Sequence, residues 1–141
     1  MLVAIDFDGV ISKYTKFKGK GIFGEPIDGV AEALFKLKLA KHTIMINTTR
    51  SEEDLIEAYL KTHNIPFDLI NYNPENDKLG LSPKKQKADV YVDDRAAVFL
   101  GKWDNEFIDS IMTFKPWWKK EAYLGEFCEL TKLRKREKEN V

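Results

Sequence analysis

The chain has one cysteine, Cys128, among its 141 residues. A lone thiol cannot close an intramolecular disulfide, so a reducing, cytoplasmic setting is expected. Net charge is lacking too, because 23 Lys and Arg balance 23 Asp and Glu. With no global field of either sign, nucleic acid and membrane surfaces are not expected as main partners. No apolar run approaches the ~20 residues that a membrane-spanning helix needs. The first expected strand starts at Leu2, leaving no room for a signal peptide. Histidine is scarce, and His42 and His63 flank expected elements with no partner suited to catalysis. Internal repeats and low-complexity segments are absent. These exclusions leave one soluble domain, large enough to bury a real core.

What the sequence does have is concentrated at its start. Leu2, Val3, Ala4 and Ile5 form a short apolar run suited to a buried strand. The run ends in Asp6-Phe7-Asp8-Gly9, two acids separated by one residue and followed by a glycine. Two unit charges ~4 Å apart repel by roughly 4 kcal/mol at an effective dielectric of about 20. A divalent cation relieves that repulsion, and carboxylate oxygens suit Mg2+. Gly9 permits a sharp turn and would bring backbone N–H groups towards an anion.

Residues 12–26 carry Lys13, Lys16, Lys18 and Lys20, with no acid before Glu25 and with Gly19, Gly21 and Gly24 as punctuation. A loop or small hairpin is expected there, beside the acidic strand end, as a basic flap or a solvated turn. A helix follows to about Ala40, with Asp28 as N-cap and Val30, Leu34 and Leu37 on its buried face. Thr43 to Asn47 reads as a second strand ending in Thr48-Thr49-Arg50. Ser51-Glu52-Glu53-Asp54 has capping-box spacing and opens a helix that would bury Leu55, Ile56, Tyr59 and Leu60. Phe67 to Tyr72 reads as a third strand, followed by a polar loop. Lys84, Lys85 and Lys87 precede a fourth strand, Ala88 to Val92, which ends in Asp93-Asp94-Arg95. Strands alternating with helices predict a parallel sheet with helices on both faces. Ligands of such sheets bind outside the strands' carboxyl ends, where Asp6, Asp8, Thr48, Asp93 and Asp94 all fall. Asp104 should cap a helix with Phe107, Ile108 and Ile111 on its apolar side. Trp103, Trp117 and Trp118 read as packing residues, and a last helix from about Lys119 would bury Tyr123, Leu124, Phe127 and Leu130. The charged run from Lys132 to Glu139 reads as a solvated helix end.

Asp6-Phe7-Asp8-Gly9-Val10, Thr48, a lysine before the fourth strand and Asp93-Asp94 resemble, in order, the four motifs of the haloacid dehalogenase (HAD) superfamily. Gly24-Glu25-Pro26-Ile27, Asn47-Thr48-Thr49-Arg50, the stretch from Ala88 to Arg95 and Phe99-Leu100-Gly101-Lys102-Trp103 are similar to its small members without large caps. The resemblance implies a three-layer, Rossmann-like α/β fold with a minimal cap. The catalytic core would cover residues 1–115 with its flap at 12–26, and 116–141 would be a helical extension.

The resemblance also implies a Mg2+-dependent phosphatase acting on a small phosphomonoester through an aspartyl-phosphate. Asp6 would be the nucleophile. Asp8 would be the general acid and base, with its carboxyl raised in pKa while the metal keeps Asp6 ionised. Mg2+ would be held by Asp6, the backbone carbonyl of Asp8 and Asp94, with Asp93 behind or acting through water. Thr48, Thr49 and Gly9 would contact the phosphate. Lys85, preferred over Lys84 and Lys87 from its spacing to Asp89, would neutralise it. Arg50 either clamps substrate or pairs with an acid. The alternatives are a nucleotidase or polynucleotide-end phosphatase, a phosphoacceptor signalling module, and a scaffold without turnover.

Overall fold

Leu2–Ile5 forms the first strand, β1, and its period-2 pattern continues beyond the strand. Val3, Ile5 and Phe7 all enter one apolar core, so Asp6 between them is turned to the other side. The structure, a computed structural model, describes residues 1–119. Its elements run β1, α1 (Val30–Leu39), β2 (Thr43–Ile46), α2 (Glu53–Thr62), β3 (Leu69–Ile70), α3 (Pro74–Lys78), β4 (Val90–Val92) and α4 (Asn105–Met112). A 3-10 turn follows at Trp117–Lys119. The last expected helix, with Tyr123, Leu124, Phe127 and Leu130, and the charged run after it lie outside the described residues, as does nearly all of the expected 116–141 extension.

The four strands form one parallel sheet in the order β3-β2-β1-β4. Ile5 sits opposite Ile46 on one side and opposite Val92 on the other. Val3 and Ile5 share a face with Ile44 and Ile46, against Val30 and Leu34 of α1 and Ile56 and Leu60 of α2. Ala4 and Met45, one residue out of phase, are buried on the opposite face. The α/β parallel architecture expected from the sequence is therefore present. From β1 the chain first builds outward through β2 and β3, then returns to place β4 on the other side. That reversal makes the carboxyl ends of β1 and β4 the topological switch point.

Several local expectations need correction. Gly29, in the left-handed region at φ 81°, takes the N-cap position of α1 instead of Asp28 and makes no side-chain cap. The capping box of α2 does not form, because the N-cap residue is Glu52 and its side chain is engaged elsewhere. The polar loop after β3 contains a short helix, α3, with Asn73 accepting from the Glu75 N–H and Pro74 at the first helical position. On α2, Leu55 is exposed whereas Ile56 and Leu60 are fully buried. Among the described residues β4 is an edge strand, and Val90, Tyr91 and Val92 are all exposed.

Two compact units divide after Asp94. Within the second unit, Asp104 caps α4 by accepting from the Phe107 N–H at 2.9 Å, as expected. Phe107 packs against Phe99 and Trp103, and Trp118 is buried between Arg95 and Lys119.

Candidate functional site

The switch point collects carboxylates. Asp6 directly follows β1 and donates its N–H to the Val92 carbonyl at 2.9 Å, which extends the β1–β4 pairing by one step. That register brings Asp6 beside Asp93 and Asp94, and one carboxylate oxygen from each of the three lies within 4.8 Å of the others. Asp6 and Asp94 are partly buried, Asp93 is exposed, and Oδ1 of Asp94 is shut off from solvent. Burial pushes the Asp6 carboxyl up to about 8, helped by a hydrogen bond with Asp94 and by the charges of Asp93 and Asp94, against the Phe7 N–H. Two carboxyls sharing a hydrogen bond must hold a proton between them, which a cation would displace. Ligands on opposite sides of Mg2+ sit about 4.2 Å apart, given its bonds of about 2.1 Å. The three acids are therefore at the right scale, and of the right hard-oxygen chemistry, for such an ion.

Phe7, the residue between the two acids, fixes the turn. Its ring is fully buried and meets Phe23 and Tyr59 edge-on at 5.1 and 5.2 Å. Its carbonyl accepts the N–H groups of Val10, Ile11 and Ser12. Gly9 adopts φ 81°, as a sharp turn requires, but its N–H donates to the Ser12 carbonyl at 2.8 Å.

Asp8 is not one of the three acids; its carboxylate joins an ion group around the buried Arg50. Arg50 grips it with two bonds, Nε to Oδ2 at 2.6 Å and Nη2 to Oδ1 at 3.1 Å. Arg50 Nη1 also donates to Glu52 Oε1 at 2.7 Å and to the Gly19 carbonyl at 3.1 Å, and Nη2 reaches the Ile22 carbonyl at 3.2 Å. The guanidinium lies 5.1 and 4.8 Å from the ring centres of Phe17 and Phe23, within cation–π range. The Arg50 side chain is only 4% exposed, and its hydrogen bond holds the Glu52 carboxyl below the usual range. Of the two readings of Arg50, pairing with an acid is the arrangement found.

The flap over residues 12–26 is a built element. It stands on an antiparallel base in which Lys13 N–H donates to Glu25 and Ile27 N–H to Ile11, both at 2.8 Å. Gly24 passes so close to Lys13 that an added Cβ would fall 2.0 Å from its carbonyl oxygen. Tyr59 donates its hydroxyl to the Gly24 carbonyl at 2.8 Å, and Phe23 completes the Phe7–Tyr59 ring cluster. Beneath the flap lies a cavity of about 220 Å3 whose lining includes Asp8, Lys13, Tyr14, Lys16, Lys18 and Arg50.

Thr48 is half-buried at the end of β2, with its N–H on Asn71 Oδ1 at 2.8 Å and its hydroxyl oxygen accepting the Arg50 N–H at 3.1 Å. With its oxygen accepting, the hydroxyl hydrogen can be donated to a ligand. Thr49 is exposed. Lys85 is exposed with its ammonium 5.3 Å from the Tyr91 ring centre, and it makes no ion pair among the described residues. Lys87 pairs with Glu75 at 2.9 Å. The loop carrying these lysines is tied by buried Asn73, Asn76 and Gln86, with Asn76 donating to the Lys85 carbonyl at 3.0 Å. Two residues of the site were not among the expected site residues. Glu52 shares the Arg50 guanidinium, and Asn71, left-handed at φ 51°, pins the Thr48 loop to β3. An asparagine closing a strand signals such a turn, but nothing in the sequence says which loop it holds.

A solved structure described as that of a conserved protein from Bacteroides thetaiotaomicron is similar to this chain. The two are 30% identical, the match covers 79% of this chain and 88% of the other, and the TM-score is 0.56. The chain belongs to that protein's family. No protein-family model matches it, and no curated protein does. Membership of the family fixes a shared α/β fold; the chemistry rests on the residues above.

Proposed function

We propose that the chain is a HAD-type, Mg2+-dependent phosphatase that hydrolyses a small phosphomonoester through an aspartyl-phosphate on Asp6. The sheet would then be the middle of the superfamily's three-layer fold and the 12–26 flap its minimal cap. The observation that carries this reading is the convergence of Asp6, Asp93 and Asp94 at the switch point. Mg2+ held there by Asp6 and Asp94, with Asp93 beside them, would neutralise charge on the phosphoryl group. Asp6 is placed at a strand end, with one oxygen oriented by the Phe7 N–H at 2.7 Å. That bond leaves the second oxygen for attack on phosphorus. Thr48 donates its hydroxyl to a phosphate oxygen, and Lys85 swings from Tyr91 to the phosphate. Asp8 protonates the leaving oxygen and later activates water, contributing about 10²–10⁴-fold. To carry a proton it must give up one of its two Arg50 contacts.

That pairing also favours a second reading, a phosphoacceptor or scaffold in which Asp8 stays bound to Arg50 and water is not activated. The test is a panel of phosphomonoesters assayed with purified protein. Release of phosphate that requires Mg2+ and stops in excess chelator supports the hydrolase; full activity in chelator sinks it.

A further inference from the structure

We propose that the cavity beneath the flap seats a second anionic group on the leaving portion of the substrate. The preferred substrates are then compact phosphomonoesters carrying an additional phosphate or carboxylate. This rests on the phosphatase reading and extends it to substrate class.

Charge is the first ground. Asp8, Arg50 and Glu52 form a closed ion group with one net negative charge. Lys13, Lys16 and Lys18 line the same cavity and form no ion pair among the described residues. Three ammonium groups therefore leave the cavity positive. Lysines on a loose loop would only be solvated, but this loop is held in place. Arg50 binds its Gly19 and Ile22 carbonyls, Tyr59 binds Gly24, and Phe23 packs against both Phe7 and Tyr59. The lysine backbone is thus ordered before any ligand arrives, which lowers the entropic cost of binding.

Size and position restrict the ligand. At about 220 Å3 the cavity is smaller than the ~300–1,000 Å3 typical of drug-sized ligands. It suits a phosphate or carboxylate with a few carbons, not a nucleoside. Asp8, the proton donor to the leaving oxygen, lies in its wall. Whatever is attached to that oxygen extends into the cavity, while the phosphoryl group stays with Asp6.

Matched substrates test this with the full chain and Mg2+. One pair is propanediol bisphosphate against its monophosphate, the other phosphoglycerate against glycerol phosphate. The member with the extra charge should have kcat/KM about tenfold higher, mainly through KM, and the advantage should shrink with added salt. Whichever pair shows the larger ratio identifies phosphate or carboxylate as the group accepted. Exposed Lys16 and Lys18 can be replaced by glutamine with little risk to folding, checked by the thermal midpoint. In Lys16→Gln and Lys18→Gln the ratio should fall by about threefold for each charge removed. Ratios near one in both pairs, or ratios untouched by these replacements, would overturn the proposal. If no substrate turns over, the phosphatase reading fails, and calorimetric binding still decides the cavity. Lysine-dependent preference for the bisphosphate upholds it; equal or undetectable binding of bisphosphate and monophosphate overturns it.

Discussion

Replacing Arg50 by methionine keeps most of the side-chain volume between Phe17 and Phe23 and removes the charge. The guanidinium makes two bonds to Asp8, one to Glu52 and two to flap carbonyls. Breaking a buried ion pair by deleting one partner typically costs about 3–5 kcal/mol, because the other charge stays behind uncompensated. The Asp8 side chain is 19% exposed, so water offsets part of that cost and about 3 kcal/mol is expected. For a chain of this size each kcal/mol moves the midpoint by about 3 °C, so the thermal midpoint should drop by about 10 °C. Urea titration followed by circular dichroism gives the free energy directly. Asp8→Asn in the Arg50→Met background removes the stranded charge and should recover about half the loss. A variant within about 0.5 kcal/mol of wild type would refute a structural role for the pair, since that is the range of ordinary surface substitutions.

In metal-free protein, the Asp6 carboxyl is raised from 3.8 to about 8, so between those values the native state holds a proton that the unfolded chain has lost. Stability from this group is full below the unfolded value and disappears as pH rises through about 8. Asp6→Asn should flatten that slope and raise the metal-free midpoint at pH near 8, read by thermal melts across pH. Saturating Mg2+ should raise the wild-type stability by RT ln(1 + [L]/Kd), about 2.7 kcal/mol at one hundred times Kd, and the midpoint with it. Asp94→Asn should shrink that gain while stabilising the metal-free form, both visible in the same melts. Gly24→Ala places a methyl 2.0 Å from the Lys13 carbonyl oxygen, so the flap base must move. A loss of about 1–3 kcal/mol is expected, with faster hydrogen exchange confined to the flap as the check.

The fold was legible where one residue sets the pattern. The apolar run from Leu2 to Ile5 announces a buried strand that ends in acids, and strands alternating with helices announce a parallel sheet. Acid pairs at two strand ends foretold that Asp6 and Asp94 would meet. Asp8 was harder, because its partner Arg50 lies 42 residues away and only the pairing of β1 with β2, Ile5 opposite Ile46, brings their loops together. The same contact explains the failed capping box, since Glu52 is drawn to Arg50 and cannot serve its own helix. Helix α3 did have a signal, Asn73-Pro74, an N-cap followed by a proline at the first helical position. Lysine choice from spacing could not see the Tyr91 ring that holds Lys85. Buried-strand composition in Val90, Tyr91 and Val92 gave no sign that β4 would be an exposed edge.

The central claim is that Asp6 becomes covalently phosphorylated and Asp8 clears the phosphate. Intact-mass spectrometry after rapid quench, with an activated aryl phosphate and Mg2+, tests it most directly. Attack on such a substrate does not need the proton donor, whereas hydrolysis of the intermediate needs activated water. Asp8→Asn should therefore accumulate one phosphoryl group on the peptide containing Asp6, while wild type clears it quickly and Asp6→Asn forms none. A long-lived phosphoaspartate in wild type, with a lifetime unchanged in Asp8→Asn, would contradict the hydrolase account and favour a phosphoacceptor.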